Sequence, residues 1–217
     1  MIESNERILL LVGSPKGLEN GSSSRLGRWV VDGLEGRGWL SESIHLHQAV
    51  VSEEGMGQLL AAIKRADVVL LAAPLYVDSL PAPVIRVLER IAAERRPEDV
   101  ERVARFVTIL NCGFVEPYQN ETCQRLLRRF ADRAGFEWVY GVSLGAAGQT
   151  PKRVRKALDI VIEALDLELL VSDEVRQLTA KPIIPSWLYV FGGNAMWKRQ
   201  AKQNGTKAKL RARPCDS

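Results

Sequence analysis

Ile8-Leu-Leu-Leu-Val12, running into Gly13-Ser-Pro-Lys-Gly17, is the stretch on which the fold turns. A continuous apolar run this short, ended by glycine and proline, fits a strand covered on both faces and followed by a loop. The period then becomes helical: Leu26, Trp29, Val30 and Leu34 fall at i, i+3, i+4 and i+8, with Ser22 or Ser23 as N-cap and Gly36 and Gly38 as stop signals. Working outward, Glu42 to Leu46 reads as a second strand. Met56, Leu59, Leu60 and Ile63 share one helix face. Val68-Val-Leu-Leu-Ala-Ala73 is a buried strand stopped by Pro74. Pro81 opens a helix that aligns Val84, Val87, Leu88 and Ile91. Phe106 to Leu110 is the next strand. Cys123, Leu126, Leu127, Phe130, Ala131 and Ala134 follow helical spacing up to Gly135, Trp138 to Leu144 is a strand, and Thr150-Pro151 caps a helix carrying Val154, Ala157, Leu158, Val161 and Leu165. Buried strands alternating with amphipathic helices predict an α/β fold, an open parallel sheet with helices on both faces.

Beyond Glu168 the pattern changes to a short helical stretch (Asp173 to Leu178), a Pro-broken extended segment (Lys181 to Phe191), a Gly192-Gly193 hinge and a basic helix from Asn194 to about Asn204. Residues 1–168 are accordingly read as one domain and 169–217 as a C-terminal extension that is not an independent domain.

The chain has 217 residues, 46% hydrophobic and 26% charged, within the range of a single globular domain with additions. Its formal charge of +4 belongs to the tail. From Lys198 on, seven Lys and Arg stand against one acid, which leaves the preceding body with 23 basic and 25 acidic residues, a net of −2. No aromatic follows Trp197 to stack on bases, so nucleic-acid binding is not expected. The start of the chain lacks the basic segment and cleavage site of a signal peptide, and the longest apolar run, Val68 to Val77, is too short to span a bilayer. Three scattered cysteines form neither a disulfide framework nor a metal motif, which points to a reducing, cytoplasmic setting.

In an open parallel sheet, ligands sit beyond the carboxyl ends of the strands, which directs attention to three loops. The first, Gly13 to Leu26, offers glycines, hydroxyls and one ammonium leading into a helix N-terminus, a setting suited to a phosphate monoester. It carries neither the Gly-Lys-Ser/Thr of a Walker loop nor the G-x-G-x-x-G spacing, and the plain alternative is a serine-rich turn. The second, Pro74-Leu-Tyr-Val-Asp-Ser-Leu-Pro81, gives an aromatic and apolar shelf for a planar ligand. The third, Asn111-Cys-Gly-Phe-Val-Glu-Pro-Tyr-Gln119, places a glycine where backbone can approach closely and a helix N-terminus behind it. Plain readings of these two are a core-packed Tyr76 and a surface loop.

Together, Gly13-Ser-Pro-Lys…Gly-Ser-Ser-Ser-Arg-Leu26, Ala66 to Val77, Pro81-Ala-Pro83 and Asn111-Cys-Gly-Phe114 resemble the flavodoxin-like NAD(P)H-dependent FMN reductases, relatives of the iron–sulfur flavoproteins. The resemblance, over about residues 7 to 165, implies a flavodoxin-like five-stranded parallel sheet of order 2-1-3-4-5. It further implies FMN with its phosphate on Ser14, Lys16, Ser22, Ser23 and Ser24, and its ring between Pro74, Leu75, Tyr76, Val77 and Asn111, Cys112, Gly113, Phe114. The activity it implies is hydride transfer from NAD(P)H to flavin and then to a second acceptor, a quinone, nitro or azo compound, free flavin or protein, in a homodimer. No acid or base is named, because the cofactor carries the chemistry. The cysteine motif of the iron–sulfur relatives is missing, so no cluster is expected. The alternatives are a non-enzymatic flavodoxin-type carrier and an interaction module without FMN.

Other signals weaken on inspection. Gly141-Val-Ser-Leu-Gly145 matches the G-x-S-x-G elbow, but no histidine follows it. His45 and His47 alternate on the presumed second strand, one ring inward and one outward, without the spacing of a metal site. Cys112 reads as a packing side chain more readily than a redox centre. The basic tail is expected to serve assembly or attraction of the anionic nicotinamide nucleotide.

Overall fold

The computed structural model describes residues 6–99, 102–146 and 149–205. In chain order these form β1 (Arg7–Val12), α1 (Ser22–Glu35), β2 (Leu40–His45), α2 (Leu46–Ala49), α3 (Glu53–Arg65), β3 (Val68–Leu75), α4 (Ala82–Glu94), β4 (Arg105–Cys112), α5 (Glu121–Arg133), β5 (Glu137–Leu144), α6 (Lys152–Asp166), α7 (Glu174–Ala180) and α8 (Ser186–Gln203). The strands make one sheet in the order β2-β1-β3-β4-β5, all pairs parallel. The flavodoxin-like topology expected from the sequence is the one observed.

Side chains alternate across the sheet and build two cores. Leu9, Leu11, Val69, Leu71, Phe106 and Leu110 pack against α3, α4 and α5. Ile8, Leu10, Val68, Leu70, Val107 and Ile109 pack against α1 and α6, with Val175 of α7 joining them. Each such fully buried aliphatic side chain contributes roughly 1.5–3 kcal/mol. α3 shows how local signals agree with packing: Ser52 Oγ accepts the Gly55 N–H at 3.1 Å, Glu53 and Glu54 sit at the positive end of the helix dipole, and Lys64 and Arg65 at the negative end.

α1 lies unusually close to the sheet. A Cβ on Gly27 would stand 2.5 Å from Leu10 Cδ1 and 3.0 Å from Ala72 Cβ, so only glycine lets the helix seat there. That seating fixes the N-terminus of α1 over the carboxyl end of β1. The β1–α1 loop is held in the same way, since a Cβ on Gly13 would meet Ala73 Cβ at 2.8 Å.

The structure departs from the sequence reading in four places. β3 continues through Pro74 to Leu75, because a proline at a strand end removes only one ladder donor and Pro74 still stands in register with Asn111. The N-cap of α1 is Gly21, not Ser22 or Ser23. His47 lies in α2 and not on a strand. The segment expected to be extended and hinged is helical from Ser186 to Gln203, Pro185 standing just ahead of the first turn and Gly192 and Gly193 absorbed within it. Glycine there costs about 1 kcal/mol against alanine without forcing a break.

Residues through Ile183 form one compact unit and those from Ile184 a second. In the first, Arg153 secures the end of α7 by donating to the carbonyls of Lys181 and Pro182 at 2.6 and 2.9 Å. The second contains α8, none of whose residues is buried, with Trp187, Tyr189, Phe191 and Trp197 exposed. Lys207, Lys209, Arg211, Arg213 and Cys215 of the tail lie outside the described residues. Among the described residues no helix is long and apolar enough to cross a membrane.

Candidate functional site

Three loops meet at the carboxyl edge of β1, β3 and β4. In the first, the N-terminus of α1 has no side-chain cap, so its leading N–H groups are unclaimed by any capping side chain. Ser14 Oγ, Lys16 Cβ and Ser24 Oγ converge on Gly21, where an added Cβ would meet them at 3.0, 3.6 and 3.5 Å. Ser14 is buried and its Oγ accepts the Lys16 N–H at 3.3 Å, while Lys16 itself is exposed. Helix N–H groups and the Ser14 hydroxyl thus border one small region, with the stem of Lys16 beside it, a set of groups suited to a phosphate monoester.

The serines of this loop divide by role. Ser22 occupies the first turn, half-buried. Ser23 is buried and donates to Asn111 Oδ1 at 2.7 Å, tying α1 to β4. Ser24 is buried and donates to the Gly17 carbonyl at 2.6 Å, which closes the loop on itself. The latter two hydroxyls hold the loop's shape.

In the second loop Pro74 and Leu75 are buried, whereas Tyr76 is half-exposed and Val77 stands almost wholly in solvent. Tyr76 and Ser79 exchange backbone hydrogen bonds of 2.7 and 3.1 Å around Val77 and Asp78, whose φ values are 49° and 61°. A β-branched residue in the left-handed region costs on the order of 1–2 kcal/mol. The tight turn follows directly on Leu75, which pairs with Cys112, so the exposed Tyr76 and Val77 come where the neighbouring strand gives way to the third loop.

In that third loop Asn111 and Cys112 are buried and Gly113 and Phe114 are exposed. A Cβ on Gly113 would meet no atom within 4 Å, so open space adjoins this backbone. Beneath it, Asn120 Nδ2 donates to the carbonyls of Pro117 and Leu144 at 3.1 and 3.2 Å and to Cys112 Sγ at 3.6 Å. Burial pushes the Cys112 thiol above its ordinary value and takes Cys123 up to about 12. Both are therefore neutral thiols near pH 7, and Cys112 packs the loop rather than serving as a nucleophile.

Two features were not legible as functional from the sequence. His45 and His47 both turn onto the β1–α1 loop, their Nε2 atoms 2.8 Å from the Ser14 carbonyl and 3.1 Å from that of Gly13. The available signal was topological: β2 lies beside β1 and His45 pairs with Val12, so the chain leaving β2 must pass the first loop. The glycines of the G-x-S-x-G match have packing reasons instead. A Cβ on Gly141 would meet Gln124 Oε1 at 2.4 Å, and one on Gly145 the Val115 carbonyl oxygen at 2.3 Å. Ser143 lies beside the Gln124 amide, with no histidine at hand. Among the described residues no cluster of His, Cys, Asp and Glu could hold a metal ion.

Residues 7–113 match the family model of NADPH-dependent FMN reductase. No curated protein sequence matches the chain. Among solved structures, an apo NADH:FMN oxidoreductase is similar at 17% identity and TM-score 0.62, covering 79% of this chain and 94% of its own. An FMN-dependent NADH-azoreductase from Bacillus anthracis in complex with FMN is similar at 14% and 0.55, covering 75% and 100%. An NAD(P)H:quinone oxidoreductase from Methanothermobacter marburgensis is similar at 17% and 0.55, covering 75% and 98%.

Proposed function

We propose that this chain, whose residues 7–113 match the NADPH-dependent FMN reductase family, is an FMN-dependent oxidoreductase that takes a hydride from NAD(P)H and passes electrons to a second acceptor. The observation that carries the reading is the approach of Ser14 Oγ and the Lys16 stem to Gly21 at the uncapped start of α1, together with the open-sided Gly113 after β4. FMN, when bound, would supply the capacity to accept and release an electron pair.

Each loop has a distinct task. The α1 N-terminus, Ser14, Lys16 and Ser22 hold the phosphate, and Ser23 and Ser24 keep that loop in shape. With FMN bound, Tyr76 and Val77 would offer an apolar face to the ring, and the open-sided backbone at Gly113 would let it come close. The body's net charge of only −2 favours the reductase over a strongly acidic flavodoxin-type carrier. A homodimer that completes the ring's open side, and a cytoplasmic location consistent with buried free Cys112 and Cys123, complete the proposal.

Steady-state oxidation of NADPH and NADH by the FMN-loaded protein, with and without a quinone, tests it. Acceptor-dependent turnover is expected. A loaded protein inert to both nucleotides, yet reduced by a separate reductase, would establish a carrier instead.

A further inference from the structure

Gly13 and Ser14, the first residues of the loop that follows β1, turn their carbonyl groups onto two imidazoles. His45 Nε2 lies 2.8 Å from the Ser14 oxygen and His47 Nε2 3.1 Å from the Gly13 oxygen. A carbonyl oxygen only accepts, so both Nε2 atoms carry a hydrogen and donate it. The rings stack with centroids 5.4 Å apart and planes 16° from parallel, and His45 is buried. Neither histidine was positioned for this by a shared strand: His45 ends β2 and His47 sits in the first turn of α2.

A trans peptide sets its C=O and the next N–H on opposite sides. With the Gly13 carbonyl drawn to His47, the Ser14 N–H points away from the imidazoles, and it donates to no acceptor among the described residues. The next nitrogen belongs to Pro15 and carries no hydrogen. The Ser14 carbonyl accepts from Gly17 N at 3.3 Å as well as from His45, so the turn that carries Lys16 is closed from inside and anchored from behind. Ser14 Oγ stands on the Gly21 side of the same residue.

We propose that His45 and His47 are positioning residues for phosphate recognition: they hold the Gly13 and Ser14 peptides so that the Ser14 N–H and Oγ, with Lys16, face an incoming phosphate monoester. The proposal rests on the reading of this loop as the FMN phosphate site. It assigns the imidazoles no contact with the flavin ring. Their loss therefore acts on the phosphate and spares the rest of the ligand.

The test compares FMN with riboflavin, which lacks the phosphate, in fluorescence-quenching titrations of apoprotein. The proteins are wild type, His47→Leu, the double variant His45→Leu with His47→Leu, and His47→Gln, whose amide keeps an N–H donor. Removing both donors, one buried and one half-buried, is expected to weaken FMN by about tenfold or more while riboflavin stays within about twofold. His47→Gln is expected to bind FMN more tightly than His47→Leu. Should the double variant fail to fold, the two single variants at the half-buried position decide the matter. Unchanged FMN affinity, equal weakening of both ligands, or a Gln variant no better than Leu would overturn the proposal. Wild-type protein that binds FMN no better than riboflavin would overturn the phosphate reading itself, and the clamp with it.

Discussion

Gly113→Val is expected to yield a folded protein that binds FMN roughly 10- to 100-fold more weakly than wild type. An added Cβ here meets no atom within 4 Å, and Gly113 is not in the left-handed region, so valine strains neither the neighbours nor the backbone. Exposed substitutions of that kind usually change stability by about 0.5 kcal/mol or less. The effect falls on the ligand, because the branched side chain stands where the ring would approach the backbone. Thermal unfolding of the apoprotein and a flavin titration separate the two consequences. Full flavin affinity in Gly113→Val would move the ring away from this loop.

Gly145→Ala is expected to do the opposite and damage the fold. Its Cβ would lie 2.3 Å from the Val115 oxygen, 2.6 Å from the Val115 carbonyl carbon and 2.9 Å from the Phe114 oxygen, all backbone atoms. Ala146 N, next along the chain, donates to that same Phe114 oxygen. The two loops must part, at a cost of about 1–3 kcal/mol of overpacking together with a hydrogen bond worth about 1 kcal/mol. For a chain of this size each kcal/mol lowers Tm by about 2–4 °C. Flavin affinity is expected to fall too, since Gly113 and Phe114 ride on the displaced segment. Gly141→Ala is the control: its clash is with the end of the Gln124 side chain, which can turn away, so a smaller loss of stability is expected. Equal stability of Gly145→Ala and wild type would contradict the packing account of these loops.

The sheet was legible because its signals are local and redundant. Ile8 to Val12 and Val68 to Ala73 are continuous apolar runs, and Phe106 to Leu110 is interrupted only by Thr108, a pattern that suits a doubly covered strand, and each proved fully or almost fully buried. The α8 segment was misread because proline and glycine are punctuation only by tendency. Pro185 sits where a helix tolerates it, and the apolar run Trp187 to Phe191 looks the same in a strand or in a helix turn. The three loops of the site could be found from where strands end, and most of the residues named in them do gather there. What each hydroxyl does could not. Ser14, Ser22, Ser23 and Ser24 look alike in sequence, yet Ser23 is spent on Asn111 and Ser24 on the Gly17 carbonyl. His45 and His47 were hidden for a related reason. Their partners are backbone carbonyls some 30 residues earlier, and backbone leaves no trace in side-chain spacing.

On the function proposed above, the uncapped α1 N-terminus and the two flanking loops hold an FMN that NAD(P)H reduces. Apoprotein mixed with excess FMN, freed of unbound flavin by gel filtration and then given NADPH under anaerobic conditions, puts this to a single spectrum. The expected result is a yellow protein with stoichiometric flavin whose visible absorbance bleaches on adding the nucleotide and returns with oxygen. A protein that emerges colourless from the column would contradict the binding site, and a yellow one that NADPH and NADH leave unbleached would contradict the reductase.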